Sequence, residues 1–146
     1  MINHCLNFKV LDNSGVGISI ALGVSLFFLY TRKEKWMPST IVWIICTMLF
    51  LIGIFGLLYL NVQSKKDKIL YYGYCVPIIY WIFDRVFKHI SYKIHNRDFI
   101  LYLRGSFEIN DGFGAKNPHV KESDMVFSFA LLFIIVMATL SITQIA

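Results

Sequence analysis

His89, His95 and His119, together with Asp84, Asp98, Glu108, Asp111 and Asp124, are the residue types that bind metals or move protons. Their spacing matches no HExxH, CxxC or paired-carboxylate helix pattern, so no metal site and no catalytic residue is expected from them. Gly15-Val16-Gly17 and Gly112-Phe113-Gly114 are isolated GxG pairs. Neither follows a strand and opens a helix, as a phosphate-cradling loop must. No GxSxG or Walker pattern occurs, and no cofactor is implied. Cys5, Cys46 and Cys75 fit neither a zinc nor a redox spacing; two lie within apolar stretches and read as small buried hydrophobes. Asp84 stands alone at the edge of an apolar stretch, where a salt bridge to Arg85 or Lys88, or exposure at the membrane interface, would satisfy it.

The elements that carry these residues are set by a composition unsuited to a soluble domain. Hydrophobic residues make up 57% and charged residues 16%, and the apolar residues fall in long blocks. Blocks of about 17–25 apolar residues are what a bilayer demands, and in hydrocarbon they must be helical to pair their own backbone groups. Such blocks cover residues 14–30, 38–60, 69–83 and 125–145. Asp12, Asn13 and Ser14 supply N-cap chemistry for the first block, and Ser123 and Asp124 for the last. Pro38 suits the first turn of the second block, and Trp36, Trp43 and Tyr59 lie near its ends, where aromatic belts form. The third block is short: its fifteen residues rise only about 23 Å, against about 30 Å of hydrocarbon. It reads as a tilted or locally thinned span, or as a re-entrant segment, with Pro77 as a kink point. No signal-peptide cleavage pattern follows the first block, which is expected to be a retained helix. The fold expected is an all-α membrane protein: a four-helix transmembrane bundle forming one membrane domain over 1–146, with a small cytoplasmic cap over 84–124.

The net charge of +5 belongs to topology rather than to nucleic acid. With four spans, Arg32, Lys33, Lys35, Arg85, Lys88, Lys93, Arg97, Arg104, Lys116 and Lys121 share one side, ten of the fourteen basic residues. The positive-inside rule then places 84–124 in the cytoplasm and both termini outside. No Asp, Glu, Lys, Arg or His lies inside an apolar block, which disfavours charge-coupled transport.

The cap opens with an amphipathic helix. At about 100° per residue, Phe83, Val86, Phe87, Ile90 and Ile94 fall on one face, and Arg85, Lys88, His89, Lys93 and His95 on the other. The basic face, with Arg97 and Arg104, is a candidate contact for anionic headgroups or a partner protein. Asp98–Leu103 (DFILYL) reads as a short buried strand, with Phe107-Glu108-Ile109 as a second strand pairing back on it across Arg104-Gly105-Ser106. Gly15, Ser19 and Gly23 form a small-residue stripe that either packs helices within the chain or joins copies into an oligomer.

The stretch NRDFILYLRGSFEIND resembles a segment of bacterial multi-pass membrane proteins of unassigned role, in which a VLYLRSF strand opens a cytoplasmic α/β domain compared with TIR domains. Phe99–Arg104, Ser106, Phe107 and Asp111 match that pattern, and Gly105 is an insertion. The resemblance implies a bacterial inner-membrane protein. Only residues 112–124 separate the segment from the last block, too few for a nucleotide-cleaving fold. The function expected is that of a non-enzymatic membrane protein that oligomerises or docks a cytoplasmic partner through residues 84–124. Its rivals are a homo-oligomeric pore or membrane-disrupting effector gated through that loop, and a membrane-embedded enzyme.

Overall fold

The computed structural model describes residues 13–60, 64–103, 106 and 119–145. Four helices follow one another: α1 (Asn13–Tyr30), α2 (Ser39–Tyr59), α3 (Lys65–His95) and α4 (Glu122–Ile145). Three of them, α1, α2 and α4, are long and apolar enough to cross a membrane. Pro38 is the N-cap of α2, in extended conformation, so the helix proper starts one residue later than its sequence position suggests.

The third block differs most from its expected form. Residues 69–83 are the middle of a 31-residue helix that includes Lys65–Lys68 before it and the whole basic stretch after it. At about 1.5 Å per residue this helix is about 46 Å long, but its uncharged stretch is still residues 69–83, and α3 is not among the helices apolar enough to cross a membrane. It continues through Pro77, whose carbonyl accepts the Cys46 thiol at 3.6 Å. Asn96 ends it in the left-handed conformation (φ 53°), its N–H donating to the Tyr92 carbonyl. Lys93 and His95 lie in the last turn, where the helix dipole favours cations.

α3 is the central post: α1, α2 and α4 all pack on it, and α1 also meets α4. Chain direction alternates. Gly17 meets Ile69 at one end while Arg32 meets Asp84 at the other, so α1 runs with α3. Trp43 meets Trp81 and Gly53 meets Tyr71, so α2 runs against it. The α1–α3 crossing is backbone on backbone: a Cβ on Gly17 would lie 2.6 Å from the Ile69 carbonyl oxygen, and one on Gly73 would strike the Gly17 carbonyl. Phe28, Leu29, Cys46, Tyr80, Trp81, Leu131 and Ile135 fill the core, and Ala21, Ile69, Val76 and Ile142 fill a second cluster nearer the other end. The outer faces are apolar as well. Ile44, Met48, Leu51 and Phe55 on α2, and Val126, Phe133 and Leu140 on α4, are exposed, as the lipid-facing side of a span must be.

Among the described residues there is no β-strand. Residues 98–103 form no strand, but Phe99, Leu101 and Leu103 are buried in the core as expected. Two of their backbone N–H groups bond to side chains of α4. The Ile100 N–H donates to Asp124 Oδ1 at 3.2 Å, and the Tyr102 N–H to Ser128 Oγ at 2.9 Å. A helix can serve as a sheet edge here because Asp124 and Ser128 lie one turn apart on one face. The expected second strand, Phe107–Ile109, lies outside the described residues, as do Asp12, Arg104 and Asp111.

Candidate functional site: a polar latch at one end of the bundle

The turn after α1, the second half of α3, the strap 96–103 and the start of α4 converge at one end of the bundle. Arg32 is at the centre, with a side chain only 2% exposed. Its Nε donates to Asp84 at 3.1 Å, one terminal nitrogen to Asp98 at 2.9 Å, and the other to the Phe99 carbonyl at 3.0 Å. The guanidinium also lies 3.7 Å from the centroid of the Phe99 ring. Lys33 donates to the same Phe99 carbonyl at 2.8 Å, and Lys88 reaches Asp98 at 3.4 Å. A planar, always charged fork is the group suited to joining two carboxylates and a carbonyl at once.

Asp84 is the carboxylate deepest in this knot, 1% exposed, and Arg32 is its principal partner; the expected partner Arg85 stands off at 3.8 Å. Lys88, the other expected partner, turns to Asp98 instead. Asp84 is not exposed because it occupies the same side of α3 as Ser91, which faces the strap. Burial pushes the Asp84 carboxyl above its ordinary range, Arg32 and then Arg85 pull it back, and the net direction is upward.

A second knot fastens the strap to α4. Asp124 is fully buried: it accepts from Arg97 at 2.7 Å, from the Lys121 N–H at 2.9 Å and from the Ile100 N–H. The Lys121 contact is the return half of a capping box, in which a third-position acid bonds the N-cap amide. Ser91 Oγ donates to the Arg97 carbonyl, tying the strap back to α3. Phe87 stacks on Phe127, and Phe99 meets Phe127 edge-on, so the two knots enclose an aromatic seam.

The basic residues singled out from the sequence divide. Lys88, His95 and Arg97 turn inward and are bonded within the latch. His89 and Lys93 are exposed, and Arg85 lies over the Trp81 ring. Ser91 and Asp84 add to the inward polar side, while Phe83, Val86, Ile90 and Ile94 are exposed on the outer side. The helical wheel is therefore as expected, but part of the polar face packs while the apolar face is bare, except for Phe87. Gly15, Ser19 and Gly23 are exposed, and nothing lies within 4 Å of where a Cβ on Gly15 or Gly23 would stand. Close packing within the chain is carried instead by Gly17 and Gly73, which lie outside that stripe.

The His95–Ser123 pair lacks the arrangement of a nucleophile with its base. His95 Nε2 lies 2.7 Å from Ser123 Oγ, but its Nδ1 accepts from the Lys121 ammonium at 3.1 Å. A serine nucleophile needs a carboxylate at that nitrogen to support the imidazolium that forms; a cation does the reverse. Among the described residues, the parts of the latch that sequence reasoning did not single out include Arg32, Lys33, Ser91 and Ser128. Two opposite charges, Arg32 and Asp84, each closing an apolar block on the same side, were the signal available for the first.

No family model, curated protein or solved structure matches the chain.

Proposed function

We propose that this chain is a four-span, non-enzymatic membrane protein that docks a partner protein through the cytoplasmic end of α3. Three helices have the length and composition of spans. α3 is packed by all three, with contacts from Ile69 to Asp84, and a helix held along its length by spans shares their depth. The positive-inside excess puts the latch, and with it residues 84–103 and the turn at Arg32, in the cytoplasm. The observation that carries docking is the inverted helix end. Val86, Ile90 and Ile94, the last 60% exposed, stand beside the exposed His89 and Lys93 on a helix whose Asp84, Lys88, Ser91 and His95 are bonded inside. A rigid, contiguous apolar surface with a basic margin is what an apolar and acidic partner surface would cover.

The rival, a homo-oligomeric pore, places its conduit between copies, because the core of one chain is filled by Phe28, Tyr80, Trp81 and Ile135. The bare Gly15/Ser19/Gly23 face is the observation that favours it.

A photo-crosslinking side chain at Ile94, illuminated in native membranes, tests docking. A discrete heteromeric protein adduct that disappears with Lys93→Glu is the expected result. Adducts with lipid alone would overturn docking, and a ladder of adducts with the same chain would favour the pore.

A further inference from the structure

One cation of the latch, Arg85, is held in it only by a long ion pair. Asp84 is bonded to Arg32, and Arg85 approaches it only to 3.8 Å. The Arg85 Nε is buried and has no hydrogen-bond partner, although the side chain as a whole is 29% exposed. The guanidinium lies over the Trp81 ring, 3.9 Å from its centroid. Trp81 in turn meets Trp43 edge-on at 6.4 Å, and Trp43 and Trp36 are exposed. Lys88, one turn along α3 on the same side, has a side chain 35% exposed. The antiparallel register set by Trp43–Trp81 and Cys46–Pro77 brings the first turn of α2 alongside Arg85. That turn contains no acid, so it offers the guanidinium no competing carboxylate.

A stacked guanidinium keeps its N–H fork free in the plane of the group, in the geometry that takes two oxygens of a phosphate. Exposed tryptophans mark headgroup depth. We propose that Arg85, stacked on Trp81 and flanked by Lys88, binds the phosphate of an anionic phospholipid at the edge of the cytoplasmic leaflet. This rests on the membrane reading above, but not on docking. Trp81 holds the fork in place and supplies attraction to the cation through its ring face. Arg32 already bridges both carboxylates of the knot, which leaves Asp84 no closer than 3.8 Å to Arg85.

The test uses the full-length protein in neutral detergent, with lipid retention read by native mass spectrometry. Phosphatidylglycerol, phosphatidylcholine and inorganic phosphate are offered separately. Wild type is expected to retain phosphatidylglycerol in preference to phosphatidylcholine. Arg85→Gln should cut that preference by about tenfold, the scale of one charge-assisted bidentate contact. Arg85→Lys, which keeps the charge and folds without a change in net charge, should fall between them. Lys65→Gln, at the other end of α3, should match wild type. Equal retention by Arg85→Gln and wild type would overturn the site. So would an equal loss in Lys65→Gln, which would mean charge counting alone. Displacement of the lipid by millimolar inorganic phosphate would assign the site to a free anion instead. Extraction of the protein from membranes by alkaline carbonate would overturn the membrane reading itself, and is scored separately.

Discussion

Removing Arg32 should cost far more than removing the acid it bonds. Arg32→Ala leaves Asp84, 1% exposed, with no partner nearer than Arg85 at 3.8 Å, and leaves the Phe99 carbonyl with Lys33. Stranding one member of a buried pair typically costs about 3–5 kcal/mol, mostly the penalty of the unpaired charge. Asp84→Asn leaves Arg32 bonded to Asp98 and the Phe99 carbonyl, and removes a carboxylate whose burial outweighs its partners. Its cost at neutral pH should be below about 1 kcal/mol, the scale of a replaced neutral hydrogen bond. The double variant should therefore be more stable than Arg32→Ala alone, a coupling of about 2–3 kcal/mol between groups in direct contact. The pH dependence follows from the sign of the shift. The native state holds the Asp84 proton more tightly than the unfolded chain, so stability contributed there is fullest below the ordinary carboxylate range and is lost as pH rises through the raised value. Without Arg32 the shift is larger, so the Arg32→Ala defect should shrink as pH falls toward that range. Reversible unfolding in mixed micelles, followed by tryptophan fluorescence, measures all three variants. An Arg32→Ala variant within about 1 kcal/mol of wild type, or no rescue by Asp84→Asn, would refute the latch as a fastening.

The remaining expectations concern stability under the same assay. Gly17→Ala drives a methyl into the backbone of Ile69, which cannot swing aside, and should cost about 1–3 kcal/mol, whereas Gly15→Ala and Gly23→Ala, in open space, should be neutral or slightly stabilising. Asn96→Gly should be tolerated, while Asn96→Ala should cost about 1 kcal/mol for the left-handed backbone at φ 53°. Ser128→Ala strands the buried Tyr102 N–H and should cost about 1–3 kcal/mol; equal protection of that amide in hydrogen exchange would count against the bond. Asp124→Asn should release the strap by weakening Arg97 and the Lys121 cap together, seen as faster proteolysis within 96–103, and unchanged cleavage would remove Asp124 from that role.

Much of the helical layout could be read directly from the residues. Long uncharged blocks have one solution in hydrocarbon, so the positions of α1, α2 and α4 follow from composition alone. The amphipathic wheel of residues 83–95 was correct for the same reason, since helical periodicity is a local property. Which side of that wheel packs was not local. A basic face beside an apolar one normally turns its charges to water. Here Asp84, Asp98 and Asp124 lie on neighbouring elements and draw Lys88, Arg97 and Arg32 inward, and only the tertiary arrangement brings those acids together. The strap followed the same logic. Its burial was written in the apolar residues Phe99–Leu103, but the bonds of its Ile100 and Tyr102 N–H groups to Asp124 and Ser128 come from across the bundle. The close crossing at Gly17 and Gly73 also needed the fold, because a glycine spaced four residues from another marks a smooth helix face without saying whether a neighbour uses it. Sequence thus determined the spans and their periodicity, which depend on each residue's solvent preference. Tertiary structure decided the pairing of charges and the choice of packed face, which depend on distances between residues far apart in the chain.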